Sequence, residues 1–139
     1  MGVLVIFTAL KTLAKHGEAA KGIVESVFML GGACTSEFEA WNLIRPVVAG
    51  RIVNCFTQND WVLGLVHRTA GTSIKIAGLR PIETEGVENV DLTSVLSGHL
   101  AYKSKLPEIL EYLQVQVSVI PVLDPIESLA AKFKEHKQI

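Results

Sequence analysis

A chain of 139 residues with 49% hydrophobic residues, a mean hydropathy of +0.36 and a net charge of −1 carries enough apolar side chain for one folded core, and excludes intrinsic disorder. Its near-neutral charge proposes no nucleic-acid partner, because the only basic cluster, Lys132, Lys134 and Lys137, is interrupted by Glu135 and reads as a solvated helix end. Two cysteines, Cys34 and Cys55, do not make a disulfide framework or a metal site; they read as buried thiols of an intracellular protein, and neither metal nor cofactor is indicated.

Residues 2–16 are expected to form a helix, with Val3, Ile6, Phe7, Leu10, Leu13 and Ala14 at helical spacing and Gly17 as the stop. Its first two turns are apolar on nearly all sides, which implies burial on several faces. No basic leader precedes this run, so no signal peptide is visible, and an apolar stretch at 3–9 is far short of the ~20 residues that span a bilayer. Residues 23–30 read as a parallel strand covered on both faces, ending in Gly31-Gly32. Thr35 or Ser36 is placed to cap a second helix with Glu37 and Glu39 in its first turn, and Pro46 to break it. Residues 51–57 form a second expected strand, and 60–68 a short helix with Asp60 near its start. Residues 71–82 read as a loop or short excursion, and 87–92 as a third, weaker strand. A helix over 107–113 would carry Pro107 in its first turn, where proline is favoured. Pro121 and Pro125 interrupt the chain before a last amphipathic helix at 126–136. This alternation predicts an α/β fold, with a parallel sheet and right-handed crossovers.

Asp60 and His99 carry the strongest chemical signal. An acid just past one strand of a parallel sheet, followed by a histidine past the next, is the back half of a Ser…Asp…His arrangement. There the carboxylate fixes the imidazole tautomer and the imidazole acts as base. Aspartate at the start of a helix also suits an N-cap, and a loop histidine such as His99, in Ser97-Gly98-His99, can be without a role. Asp91, only eight residues before His99, is the second candidate for the acid. His16, His67 and His136 fall near expected helix C-termini, where imidazolium suits the dipole. Cys34 and Cys55 are not on a strand-to-helix elbow, and Trp41 and Trp61 read as packing residues.

With these residues in view, the chain resembles the C-terminal portion of an α/β-hydrolase-fold domain. More narrowly it resembles the family of transmembrane and coiled-coil domain-containing proteins, whose hydrolase-like domain is of unknown function. The resemblance rests on Gly22-Ile23-Val24-Glu25-Ser26-Val27, on Asn59-Asp60-Trp61-Val62-Leu63-Gly64, on Gly86-Val87-Glu88-Asn89-Val90-Asp91 and on Ser97-Gly98-His99-Leu100. It covers residues 1–113 as a partial hydrolase-like domain, leaving 114–139 as an extension. It implies a membrane-associated parent protein, Asp60 and His99 as acid and base, and Met1 as the residue whose main-chain N–H lies next to the nucleophile in an oxyanion hole. The expected function is that of the C-terminal fragment of a serine hydrolase acting on an ester or lipid-like substrate. Because Met1-Gly2 would match the last two positions of a G-x-S-x-G elbow, the fragment is expected to lack the nucleophile and to be inactive alone. The alternative is a non-catalytic interaction module that binds a partner, or itself, through the exposed edge of strand 23–30.

Overall fold

The first helix, α1 (Gly2–Ala14), buries Phe7 and Leu10 but leaves Leu4, Val5 and Ile6 exposed, so its apolar surface is only partly covered. The structure, a computed structural model, describes residues 2–60, 62, 64, 75–98 and 100–115. Thr8 and Thr12 sit inside α1 because their hydroxyls donate back to the carbonyls of Leu4 and Thr8. The helix closes two residues before the expected end, in a tightened turn where Lys15 and His16 N–H donate to Thr12 and Leu13, and Gly17 takes the left-handed φ of +56° that follows.

Three parallel strands follow: β1 (Val27–Leu30), β2 (Ile52–Phe56) and β3 (Val87–Asp91), in the order β1-β2-β3. Val27 pairs with Ile52 and Ile52 with Val87, so one face of the sheet carries Val27, Met29, Ile52 and Asn54. The expected three-stranded parallel α/β arrangement is therefore present. β2 is buried along its whole length, as a central parallel strand should be. β3 has a mostly exposed pattern and carries Glu88 and Asn89, polar side chains that suit a sheet edge. Among the described residues β1 pairs only with β2, which makes it the opposite edge.

β1 is shorter than the expected 23–30. Upstream of Val27 the chain makes one isolated bridge, Val24 with Val48, and Gly50 passes so close to Glu25 that a Cβ on it would lie 2.7 Å from the Glu25 carbonyl oxygen. Arg51 N–H is taken there by the Ser26 hydroxyl, so the regular ladder starts one residue later.

α2 (Phe38–Ile44) begins beyond the expected cap: Glu37 occupies the N-cap position, and the Thr35 hydroxyl accepts the Glu37 N–H at 3.1 Å, closing a turn before the helix. A 3-10 turn at Arg45–Val47 containing Pro46 ends it. The core lies between this helix, α1 and the sheet, with Phe7, Leu10, Met29, Trp41, Ile44 and Ile52 in one cluster.

The expected helix at 107–113 is corrected. α3 runs Ala101–Tyr112 with Pro107 inside it. Ala101 N–H donates to Gly98 O and the Ser104 hydroxyl to Ala101 O, so the helix is under way before the proline. The first turns carry no apolar stripe, which is why periodicity did not reveal them. The contacts divide the chain into two units, Met1–Pro107 and Glu108–Ile139. Most of the expected helix at 60–68, the first four residues of the expected excursion at 71–82, the breaks at Pro121 and Pro125 and the expected helix at 126–136 lie outside the described residues.

Candidate functional site

The candidate site is built where β2 ends. Past Phe56 the chain leaves the sheet in a turn over residues 57–60, held from three directions. Thr57 N–H donates to Gly78 O, across the 3-10 turn Ala77–Leu79. Asn59 N–H donates to the Thr57 hydroxyl at 3.2 Å, and Gln58 N–H to the Thr93 hydroxyl at 3.1 Å. The Asn59 side-chain amide donates to the carbonyls of Thr93 at 2.9 Å and Leu96 at 3.3 Å. The turn after β2 and the loop after β3 are thus fastened together at the carboxyl ends of adjacent parallel strands, the rim where ligand sites gather in such sheets.

Asp60 lies in this turn and is 1% exposed. Its main-chain carbonyl accepts the Gly64 N–H, so it also stands at the start of a helical turn that includes Val62 and Gly64. A surface N-cap has no need of such burial, and a carboxylate removed from water is costly unless its surroundings compensate it. Its charge reaches Tyr102, whose phenol is held well above the ordinary tyrosine range, first by burial and then by Asp60 and Cys55. Tyr102 stands in the first turn of α3, over Gly31 at the end of β1. A Cβ on Gly31 would meet the Tyr102 ring at 2.9 Å, and Gly31 has a φ of +59°, so this position suits only glycine. Asp60 and Tyr102 therefore share one rim.

His99 and Met1 lie outside the described residues. The neighbours of His99 are placed: Leu96 is buried and bonded to Asn59, and Gly98 O accepts the Ala101 N–H. Asp91 differs from Asp60. It is exposed at the end of β3, its Oδ1 accepts the Thr93 N–H at 2.8 Å, and its carboxyl is held below the usual range, first by the Thr93 side chain and then by that N–H. That bond closes the turn whose Thr93 hydroxyl accepts the Gln58 N–H.

Cys34 and Cys55 are free and buried, with both thiols pushed up by burial to about 11, a state in which neither serves as a nucleophile near neutral pH. Among the described residues no group of three His, Cys, Asp or Glu side chains is arranged to hold a metal ion, and no helix is long and apolar enough to cross a membrane. Asn59, Thr93 and Tyr102 are site components that the sequence reading did not pick out. Asn59 alone stands in a stretch quoted there, as the first residue of Asn59-Asp60-Trp61-Val62-Leu63-Gly64.

Comparison with known proteins adds a family. A protein of rice named transmembrane and coiled-coil domain-containing protein STS1 is 38% identical over 128 residues, covering 92% of this chain and 19% of that protein. An uncharacterized membrane protein of Caenorhabditis elegans is 34% identical over 120 residues, 84% of this chain and 19% of its own length. A Saccharomyces cerevisiae protein named probable lipase MIL1 is 34% identical over 119 residues, 84% of this chain and 11% of that protein. The chain thus spans a fifth or less of these relatives. No solved structure matches it. The profile of the family described as "Protein of unknown function (DUF726)" matches residues 1–116, and the chain belongs to that family.

Proposed function

We propose that residues 1–113 are the C-terminal part of a serine-hydrolase domain of α/β-hydrolase type that acts on an ester, with a lipid-like substrate. Asp60 is the acid that orients His99, and His99 is the base that activates a serine hydroxyl. The observation that carries this reading is the burial of Asp60 at the carboxyl end of the central strand, beside a loop from β3 that is hydrogen-bonded to the same turn. The name of the yeast relative, probable lipase, supports the reaction class, and the membrane-protein names of the rice and nematode relatives support a lipid-like substrate.

In this reading His99 takes the proton of the serine hydroxyl as it attacks the ester carbonyl, and returns it to the leaving alcohol. Asp60 holds the other imidazole nitrogen as a donor and stabilises the transient imidazolium. The 139 residues contain no G-x-S-x-G elbow. A fluorophosphonate probe applied to the 139-residue polypeptide is therefore expected to leave it unlabelled, and to label a serine in a longer protein that carries this segment. A labelled serine within the 139 residues would overturn the placement of the nucleophile, and no labelling in either would overturn the hydrolase reading.

A second reading, a module that self-associates, is favoured by one observation: the 69% exposure of Val5 beside exposed Leu4 and Ile6, together with the edge position of β1. It expects the 139-residue polypeptide to elute from size exclusion as a dimer or larger. A monomer that melts cooperatively counts against it.

A further inference from the structure

The Asn59 amide spans two loops in a way that an ordinary turn asparagine does not. Its Nδ2 donates both hydrogens to main-chain carbonyls of one segment, Thr93 O at 2.9 Å and Leu96 O at 3.3 Å. Both partners only accept, so the chemistry fixes which end of the amide faces them. The segment they belong to is itself anchored to the sheet. Leu92 N–H donates to Phe56 O at 2.8 Å, Leu96 N–H donates to Leu92 O at 2.9 Å, and Leu96 is buried. Asn59 is thus the side chain by which the residue before Asp60 holds the loop that leads to His99. Two residues, Ser97 and Gly98, separate Leu96 from His99, and the three Cα–Cα steps reach at most ~11 Å.

We propose that Asn59 is a positioning residue: its amide fixes the loop after β3 against the turn that carries Asp60, and thereby sets the geometry in which the histidine after Gly98 meets the carboxylate. The inference rests on the reading of Asp60 and His99 as acid and base. An aspartate at 59 would turn two acceptors toward two carbonyls, and a leucine of similar size would offer neither donor, so the pattern demands an amide. The titratable groups at this rim among the described residues are Asp60, the Tyr102 phenol and, at the exposed end of β3, Asp91.

The test is the titration of the His99 ring by NMR in the 139-residue chain, in Asp60→Asn and in Asn59→Leu. In the unsubstituted chain the ring is expected to titrate above the ordinary ~6.5, because the carboxylate favours the imidazolium. Asp60→Asn is expected to lower it by about one unit. Asn59→Leu, still melting cooperatively, is expected to lower it in the same direction although no charge has been removed. If Asp60→Asn shifts His99 and Asn59→Leu does not, Asn59 is a turn residue only and the acid–base reading survives. If neither shifts it, the acid–base reading falls and the positioning role with it. Should Asn59→Leu fail to fold, Asn59→Ala, which also removes both donors in a smaller side chain, takes its place with the same expected fall in the His99 titration. Both Asn59 Nδ2 protons should exchange slowly in the unsubstituted chain. Rapid exchange, or an unshifted histidine in Asn59→Ala, overturns the proposal.

Discussion

Asp60→Asn, made in a longer protein that carries this segment with its serine, is expected to lower the rate of ester hydrolysis by about 10⁴-fold while leaving KM nearly unchanged. The substitution is close to isosteric. It removes the negative charge that stabilises the imidazolium, and the amide can present an N–H where the carboxylate offered only acceptors, which reverses the tautomer that the base needs. The same substitution separates this role from the simpler one. Asparagine is as good a helix N-cap as aspartate, so a residue that only caps the turn at Val62 and Gly64 would accept the change with little loss of rate or stability. A variant with near-normal turnover would therefore remove Asp60 from the chemistry whatever its burial. Asp91→Asn is the internal comparison: Asp91 is exposed and bonded to Thr93, so its loss is expected to disturb the turn and reduce the rate by less than about tenfold. The reverse ranking of the two variants would transfer the acid to Asp91.

The sequence carried these elements unequally, for physical reasons. β2 was legible almost to the residue, because a strand buried on both faces is apolar at nearly every position, here all but Asn54. β1 is four residues shorter than 23–30: Ile23 and Val24 extend the apolar pattern across Glu25 and Ser26, but there the chain makes only the isolated bridge Val24–Val48. The start of α3 leaves little mark in the sequence because Ala101, Lys103, Ser104 and Lys105 make no apolar stripe, and Pro107, a residue that favours a first turn, lies inside the helix. The position of Asp60 just past the second strand was legible. Its setting was not. Asn59 finds its partners 34 and 37 residues away, and they are main-chain carbonyls, which no residue pattern records. Tyr102 depends on Gly31 in the same way: the missing Cβ that admits its ring is decided by two segments meeting in space.

The largest loss of stability is expected from Trp41→Ala. Trp41 is fully buried in α2, its ring centroid 5.3 Å from that of Phe7 in α1 at an interplanar angle of 50°. Its indole Nε1–H donates to Thr35 O at 2.7 Å, which fastens the loop after β1 to the helix. Truncating a buried tryptophan costs about 3–5 kcal/mol from lost transfer energy and the cavity left behind. That is a large part of the roughly 5–15 kcal/mol that holds a domain folded, and it corresponds to a fall in Tm on the order of 15 °C or more. Trp41→Phe separates the two contributions. It keeps most of the ring packing and removes the donor to Thr35, so it is expected to cost about 1–3 kcal/mol. If thermal melts instead place Trp41→Ala within a few degrees of the unsubstituted chain, the α1–α2 contact is not part of the cooperative core. The sheet would then have to hold Asp60 and the Asn59 turn at its rim without the layer that covers its Met29 face. A measured loss of the expected size places Phe7, Trp41 and Met29 in one cooperative unit with β2, from whose end the candidate site is built.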